Sequence, residues 1–326
     1  MIISRTPFRI SFIGGGTDLG VFYRKETGEV ISGSINKYMY VTVNKRFDDT
    51  IRISYTRTEI VDTVEQIRHE LIREAMKLTG VTKGIEVTTM ADIPAKGTGL
   101  GSSSSLTIGV LNALYAYTGK RVPTKQLAEE ACKIEIDIVG EPIGKQDQYI
   151  AAYGGIKHFY FKPNEDVIVE PVLIGEKRLK KLEQNLMMFY TNVTRRSETI
   201  LKEQRSKTKT NFNSLLMLKK LVPGIKQCLE KDTKSLDEFG HILYKSWEHK
   251  KKLASAITNS SIDRYYKKAI KAGAIGGKII GAGGGGFLFL YCRKEKQPKV
   301  KKALSGLRHL PVSFEPEGSR IIYADE

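Results

Sequence analysis

The apolar positions of this chain change period repeatedly, and each change marks an element. Residues 2–13 read as a strand carrying Arg9, which runs into Ile13-Gly-Gly-Gly-Thr-Asp-Leu19. Residues 38–43 and 51–55 alternate as further strands. Val64, Ile67, Leu71, Ala75 and Leu78 then recur at helical spacing up to Gly80. Ile85, Val87 and Thr89 alternate again, and Leu106, Val110, Ala113, Leu114 and Tyr117 return to the helical period, closed by Gly119 and Pro123. Thr124 caps a helix with Leu127, Ala131, Ile134 and Ile138 on one face, and the turn residues of 140–149 break it. Residues 156–161 are a strand, and the turn at 162–166 begins a passage between two halves. A strand at 185–190 opens the second half. Residues 198–271 are mostly helical, with an interruption at Pro223-Gly224. Glycines 281–286 lead into a strand at 287–291, and strand candidates at 311–314 and 320–323 finish the chain. Helices and strands mix without a strict alternation, so both halves read as α+β.

Length and charge sharpen the division. At ~100–200 residues per domain, 326 residues predict two domains. The net charge is +17, and it is one-sided. Residues 1–170 hold 21 basic and 21 acidic side chains, whereas residues 171–326 hold 32 and 15. The expected division is therefore 1–170 and 171–326. A basic half favours anionic partners such as phosphorylated small molecules or nucleotides. Many of its lysines, Lys219, Lys220, Lys250, Lys251, Lys252, Lys267 and Lys268 among them, read as solvated helix faces. No recognition-helix or RNP-like pattern supports nucleic acid. No apolar run reaches the ~18 residues of a membrane span. Cys132, Cys228 and Cys292 lack metal-site spacing and fit a reducing cytoplasm.

The stretch from Ile93 to Leu106 joins a strand to a helix through Lys96-Gly-Thr-Gly-Leu-Gly-Ser-Ser-Ser-Ser105. Free backbone N–H groups and the positive helix end meet there, an arrangement that attracts phosphate. A plain helix-capping turn has the same composition. The loop is not a Walker A motif, since no G-x-x-x-x-G-K-[ST] occurs in the chain. Gly281–Gly286 formally contains G-x-G-x-x-G, but a strand follows it where a dinucleotide fold needs a helix. Close backbone approach to a ligand and a tight inter-strand turn both account for it. Glu135 near a helix C-terminus opposes the helix dipole unless a cation lies close, and an exposed position is the simpler alternative. Asp18 suits either a sugar hydroxyl or a turn. Arg9 shares a strand face with Ser11 and Ile13, as a buried carboxylate partner or an edge charge.

Together these segments resemble one family. Thr6-Pro-Phe-Arg-Ile-Ser-Phe-Ile-Gly-Gly-Gly-Thr-Asp18 resembles the first motif of the GHMP kinases. Pro94-Ala-Lys-Gly-Thr-Gly-Leu-Gly-Ser-Ser-Ser-Ser105 looks like their ATP phosphate loop, and Lys278-Ile-Ile-Gly-Ala-Gly-Gly-Gly-Gly286 like their third motif. Gly144-Lys-Gln-Asp-Gln148 resembles the segment with the family's catalytic aspartate. Galactokinases read Gly-Glu-His-Thr-Asp where this chain has Gly14-Gly-Gly-Thr-Asp18. That form, with Gly140-Glu-Pro-Ile-Gly-Lys-Gln-Asp-Gln148, is similar to the branch acting on D-glycero-D-manno-heptose 7-phosphate, and fucokinases share parts of it.

The resemblance implies an N-terminal half like the second domain of ribosomal protein S5, a ferredoxin-like C-terminal half with extra helices, and a site between them. It implies transfer of the ATP γ-phosphoryl group to the anomeric hydroxyl of a heptose 7-phosphate, for nucleotide-activated heptose. Another sugar, and binding without turnover, are its alternatives. By carry-over, Lys96, Gly97, Thr98, Gly99, Leu100, Gly101, Ser102, Ser103 and Ser104 hold ATP. Ser103 and Glu135 hold Mg²⁺, Asp147 takes the hydroxyl proton, and Arg9 stabilises the transferring group. Gly16, Thr17, Asp18, Gly284 and Gly285 face the sugar, and Arg195, Arg196 and Lys37 are candidates for its phosphate.

Overall fold

The computed structural model describes residues 1–94, 97–193 and 197–325. Among them the strands form two sheets. The first holds β1 (Ile2–Ile13), β2 (Gly28–Lys45), β3 (Ile51–Ser54), β4 (Thr58–Val61), β5 (Ile85–Ala91), β6 (Ile156–Phe161) and β7 (Val167–Pro171). The second holds β8 (Leu186–Tyr190), β9 (Gly276–Ile279), β10 (Phe287–Tyr291) and β11 (Arg308–His309), in the order β11-β8-β10-β9. The last strand, β12 (Arg320–Ala324), returns to the first sheet and pairs antiparallel with β1.

β2 runs for 18 residues, beyond the segment 38–43 that alternation marks. Its first half, Gly28–Gly33, pairs with β6 and its second, Met39–Lys45, with β5. The first half is buried on nearly every position, so it shows no two-residue period to read. The turn at 162–166 is a hairpin joining β6 to β7, so the chain leaves the first sheet only after Pro171. The helix expected from Val64 splits into a single 3-10 turn, Val64–Gln66, and the helix Glu70–Thr79. Pro223 stands in the first turn of the helix Val222–Glu230, where its missing N–H costs nothing, and so starts a helix. Residues 311–314 form no strand beyond one bridge, Ile35 to Phe314.

The long helix Ser102–Tyr117 lies across β1 and β2, buried almost all round. Phe12 of β1 packs edge-on to Phe239 and stacked on Phe289, joining the core of the first sheet to the second. Each such ring contributes about 1.5–3 kcal/mol of burial, which makes this seam a fixed wall of the cleft above it. Among the described residues, no helix is long and apolar enough to cross a membrane.

Candidate active site

β1 ends in the cleft between the two sheets, and its alternation aims Arg9, Ser11 and Ile13 into one cavity. The Arg9 guanidinium grips Asp147 bidentately. Nε donates to Oδ1 at 2.6 Å, and a second nitrogen donates to Oδ2. The remaining nitrogen donates to the carbonyl of Gly99. The backbone N–H of Arg9 donates to the Leu100 carbonyl at 3.0 Å. One residue thus locks the glycine loop before the helix Ser102–Tyr117 to the acid. Asp147 is not in a turn, as its surroundings suggest, but in the first turn of the helix Gln146–Tyr153. A carboxylate is favoured there by the helix dipole.

The loop from Gly97 to Gly101 carries three left-handed glycines, Gly97, Gly99 and Gly101, and the last is the residue before the helix Ser102–Tyr117. It also touches the third motif backbone to backbone. A Cβ on Gly99 would stand 2.5 Å from the Ile280 carbonyl oxygen, and one on Gly281 2.5 Å from the Gly99 Cα. Both glycines hold positive φ. Gly281→Ala is therefore expected to push the two loops apart, lower the melting temperature and, if the loop holds ATP as the resemblance implies, weaken its binding at least about tenfold. Calorimetry with a non-hydrolysable ATP analogue, beside a thermal melt, checks it. Unchanged affinity would show the contact to be dispensable.

Glu135 is fully buried, which removes the exposed alternative. It sits in a π-helical segment, Lys133–Ile138, where one extra residue per turn shifts the side chain off the face that a 3.6-residue period predicts. Its Oε2 accepts from Ser104 Oγ at 2.7 Å and from the Gln148 side-chain amide. Burial outweighs these bonds and the Ser103 hydroxyl, and pushes the carboxyl up to about 7. Oε1 has no partner. A buried, orphaned carboxylate oxygen beside serine hydroxyls at a helix N-terminus fits a magnesium ion, whose other ligands would be phosphate and water. Among the described residues no cluster of three acids, histidines or cysteines offers another metal position.

Asp18 is buried in the wall of the same cavity. Its Oδ1 accepts from the Gly16 N–H at 2.8 Å and its Oδ2 from the Gln146 side-chain amide at 3.1 Å. Desolvation raises its pKa above the ordinary carboxylate value. Gly144 is required beside it, because a Cβ would collide with the Asp18 carboxylate.

Several expected residues lie elsewhere. Thr17 is buried under the loop, with its hydroxyl donating to the carbonyls of Gly14 and Glu29 at 2.8 and 2.9 Å, so it shapes the turn and does not face a ligand. Gly16 does line the cavity. Gly284 and Gly285 pack on the backbone of Ile257 and Val193, and it is Gly281 and Ala282 that line the cavity. Lys37 donates to the Asn36 carbonyl at a bulge of β2, away from the cavity. Lys96, Arg195 and Arg196 lie outside the described residues.

Other lining residues were not singled out by the sequence. Lys250 closes the helix Asp237–Lys250 and is no solvated lysine: its ammonium donates to the carbonyls of Ile279 at 3.1 Å and Gly281 at 2.5 Å. Lys278 is buried on the Phe12 carbonyl at 2.9 Å. Gln204 is buried beside Gly16. All three come from polar-looking helices or a motif edge, and only the packing of the second half on β1 reveals them.

A glycine loop at a helix N-terminus, locked by a guanidinium to an acid in a cleft, is the arrangement of a phosphotransferase. The comparisons identify which kind. The GHMP kinases N terminal domain matches residues 61–155 and the GHMP kinases C terminal domain residues 221–307. The chain is 32% identical over 323 residues to D-glycero-alpha-D-manno-heptose 7-phosphate kinase of Campylobacter jejuni, covering 93% of each. It is 26% identical to L-fucokinase/L-fucose-1-P guanylyltransferase of Bacteroides fragilis, over 92% of this chain and 35% of that one. The crystal structure of a D-glycero-D-manno-heptose 1-phosphate kinase from Bacteroides thetaiotaomicron superposes with a TM-score of 0.83 at 25% identity, covering 100% of both chains. The chain belongs to the GHMP kinases. It is a sugar kinase, with the family's two-part α+β fold.

Proposed function

We propose that the chain transfers the γ-phosphoryl group of ATP to the anomeric hydroxyl of D-glycero-D-manno-heptose 7-phosphate, giving the 1,7-bisphosphate. In a cell that product would supply nucleotide-activated heptose, and the enzyme would work in the cytoplasm. The observation that carries the reaction is the bidentate Arg9–Asp147 pair held against the Gly99 carbonyl. The substrate is supported by the Campylobacter jejuni relative and by Gly14-Gly-Gly-Thr-Asp18 in place of the galactokinase sequence.

In this reading residues 1–170 bind the nucleotide and residues 171–326 close the cleft over it. The N–H groups of Gly97–Ser104 hold the phosphates at the helix end. Ser103 and Glu135 would hold Mg²⁺, which supplies charge neutralisation along the nucleotide phosphates. Asp18 accepts a hydrogen bond from a sugar hydroxyl and fixes the ring. The acceptor oxygen then lies beside Asp147, which takes its proton as the new O–P bond forms and the bond to the β-phosphate oxygen breaks. Arg9 balances the negative charge that builds up on the transferring group.

ADP release from Mg-ATP tests this against a panel holding heptose 7-phosphate, heptose 1-phosphate, the unphosphorylated heptose, fucose and galactose. Turnover is expected with heptose 7-phosphate above all others. Preference for another member would retain the kinase and replace the substrate. Tight ATP binding without turnover of any sugar would point to a member that binds without catalysis.

A further inference from the structure

The cavity holds more positive charge than the proposed chemistry uses. Arg9, Lys250 and Lys278 line it together, and its acids, Asp18 and Asp147, are both engaged. Asp147 is taken up by Arg9, and Asp18 by the Gly16 N–H and the Gln146 side-chain amide. Among the described residues neither lysine has a carboxylate partner. Lys250 rests on two carbonyls of the third motif and Lys278 on one carbonyl of β1. Lys278 is buried and Lys250 half-buried; withdrawing ammonium groups from water with only neutral acceptors is costly, and two of them near a guanidinium repel one another besides. A chain that keeps both in its active-site cavity is organised around an anion that arrives there.

We propose that Lys250 and Lys278 form the receptor for a phosphate group in this cavity, beside Arg9. The inference rests on reading the site as that of a phosphotransferase. Two elements set the receptor. The end of the helix Asp237–Lys250 brings Lys250 over Gly281, the residue whose Cα lies against Gly99 of the phosphate loop. β9 brings Lys278 under Phe12, three residues beyond Arg9. The ammonium groups are therefore placed from the second half of the chain, opposite the loop supplied by the first. Burial and the neighbouring cations also lower both pKa values, Lys250 to about 7 and Lys278 well below the ordinary lysine value, and an incoming dianion relieves that penalty. The phosphate has two possible sources of the same chemistry: the terminal group of the nucleotide, and the phosphate the sugar already carries.

Calorimetry on the full chain with Mg²⁺ distinguishes them, using wild type, Lys250→Met and Lys278→Met. The four ligands are ADP, a non-hydrolysable ATP analogue, heptose 7-phosphate and the unphosphorylated heptose. Loss of one charge-assisted contact to phosphate is expected to weaken binding by about 10–100-fold. Weakening confined to the ATP analogue assigns the receptor to the terminal phosphate, and weakening confined to heptose 7-phosphate assigns it to the sugar. ADP and the bare heptose should stay within about twofold, and each variant should melt at the wild-type temperature or above it, because an amine withdrawn from water without a carboxylate partner has gone. The inference is overturned if all four affinities stay within about twofold of wild type. It is overturned equally if the variants melt lower and lose ADP and the analogue alike, the behaviour of lysines that only brace the glycine loop. A wild type that binds the analogue but turns over no sugar would sink the proposed reaction while leaving the nucleotide arm of this test intact.

Discussion

Asp147→Asn is expected to lower kcat by about 10²–10⁴-fold while ATP affinity changes little. The amide keeps the shape of the carboxylate but cannot take a proton from the acceptor hydroxyl. Its effect is enlarged by Arg9, whose side chain is 6% exposed and has Asp147 as its carboxylate partner. With the charge removed, the guanidinium keeps the Gly99 carbonyl and gains only a neutral acceptor. Breaking a fully buried pair typically costs about 3–5 kcal/mol, but the Asp147 side chain is 21% exposed, so solvent screens part of that and the fold should survive with a modest fall in melting temperature. Single-turnover measurements with saturating sugar separate the chemical step from binding. A variant that retains turnover to within tenfold would leave positioning by Arg9, and not proton transfer to Asp147, as the site's main contribution.

How much of this was legible before folding depends on what each residue answers to. The glycine loop at 97–101 and Gly281 are legible because backbone geometry forces their composition: positive φ and backbone contact leave no room for a side chain. The direction of Arg9 is legible too, since strand alternation alone places it with Ser11 and Ile13. Its partner is not. Asp147 lies 138 residues away, and only the family resemblance joins the two. Lys250 is hidden for the opposite reason: followed by Lys251 and Lys252, it has the local pattern of a solvated helix end, and what half-buries it are the carbonyls of β9 and the glycine loop. Glu135 is hidden by the π-helical segment, which breaks the period from which its face was judged. β12 reads as a strand, but nothing local tells it to cross back to β1. Features imposed by the backbone are visible one segment at a time. Features imposed by packing across the cleft are not.

Glu135→Gln should separate stability from activity in opposite directions. In metal-free buffer the native carboxyl has its pKa raised to about 7, against 4.5 for an exposed glutamate. Between those values the native state binds more protons than the unfolded state, so this group makes stability fall as pH rises through that window. Above pH 7 the folded protein bears the whole cost of a buried carboxylate with an orphaned oxygen, on the order of 3 kcal/mol. The substituted amide titrates nowhere. It can accept from the Ser104 hydroxyl and donate to Gln148 Oε1, which is itself buried and has no hydrogen-bond partner among the described residues. The variant should therefore melt a few degrees above wild type at pH 8 and near it at pH 5, with chelator present. Activity should move the other way, falling at least about 100-fold if Glu135 holds magnesium as proposed, because a neutral amide is a far weaker ligand for that ion. Added Mg²⁺ and ATP analogue should raise the melting temperature of wild type more than that of the variant. Melts across pH 5–8, with and without Mg²⁺, read all of this without a sugar substrate. Were the variant less stable than wild type at pH 8, the carboxylate would be a structural strut held by Ser104 and Gln148. The burial cost would then have been kept for the fold and not for a metal-bound nucleotide.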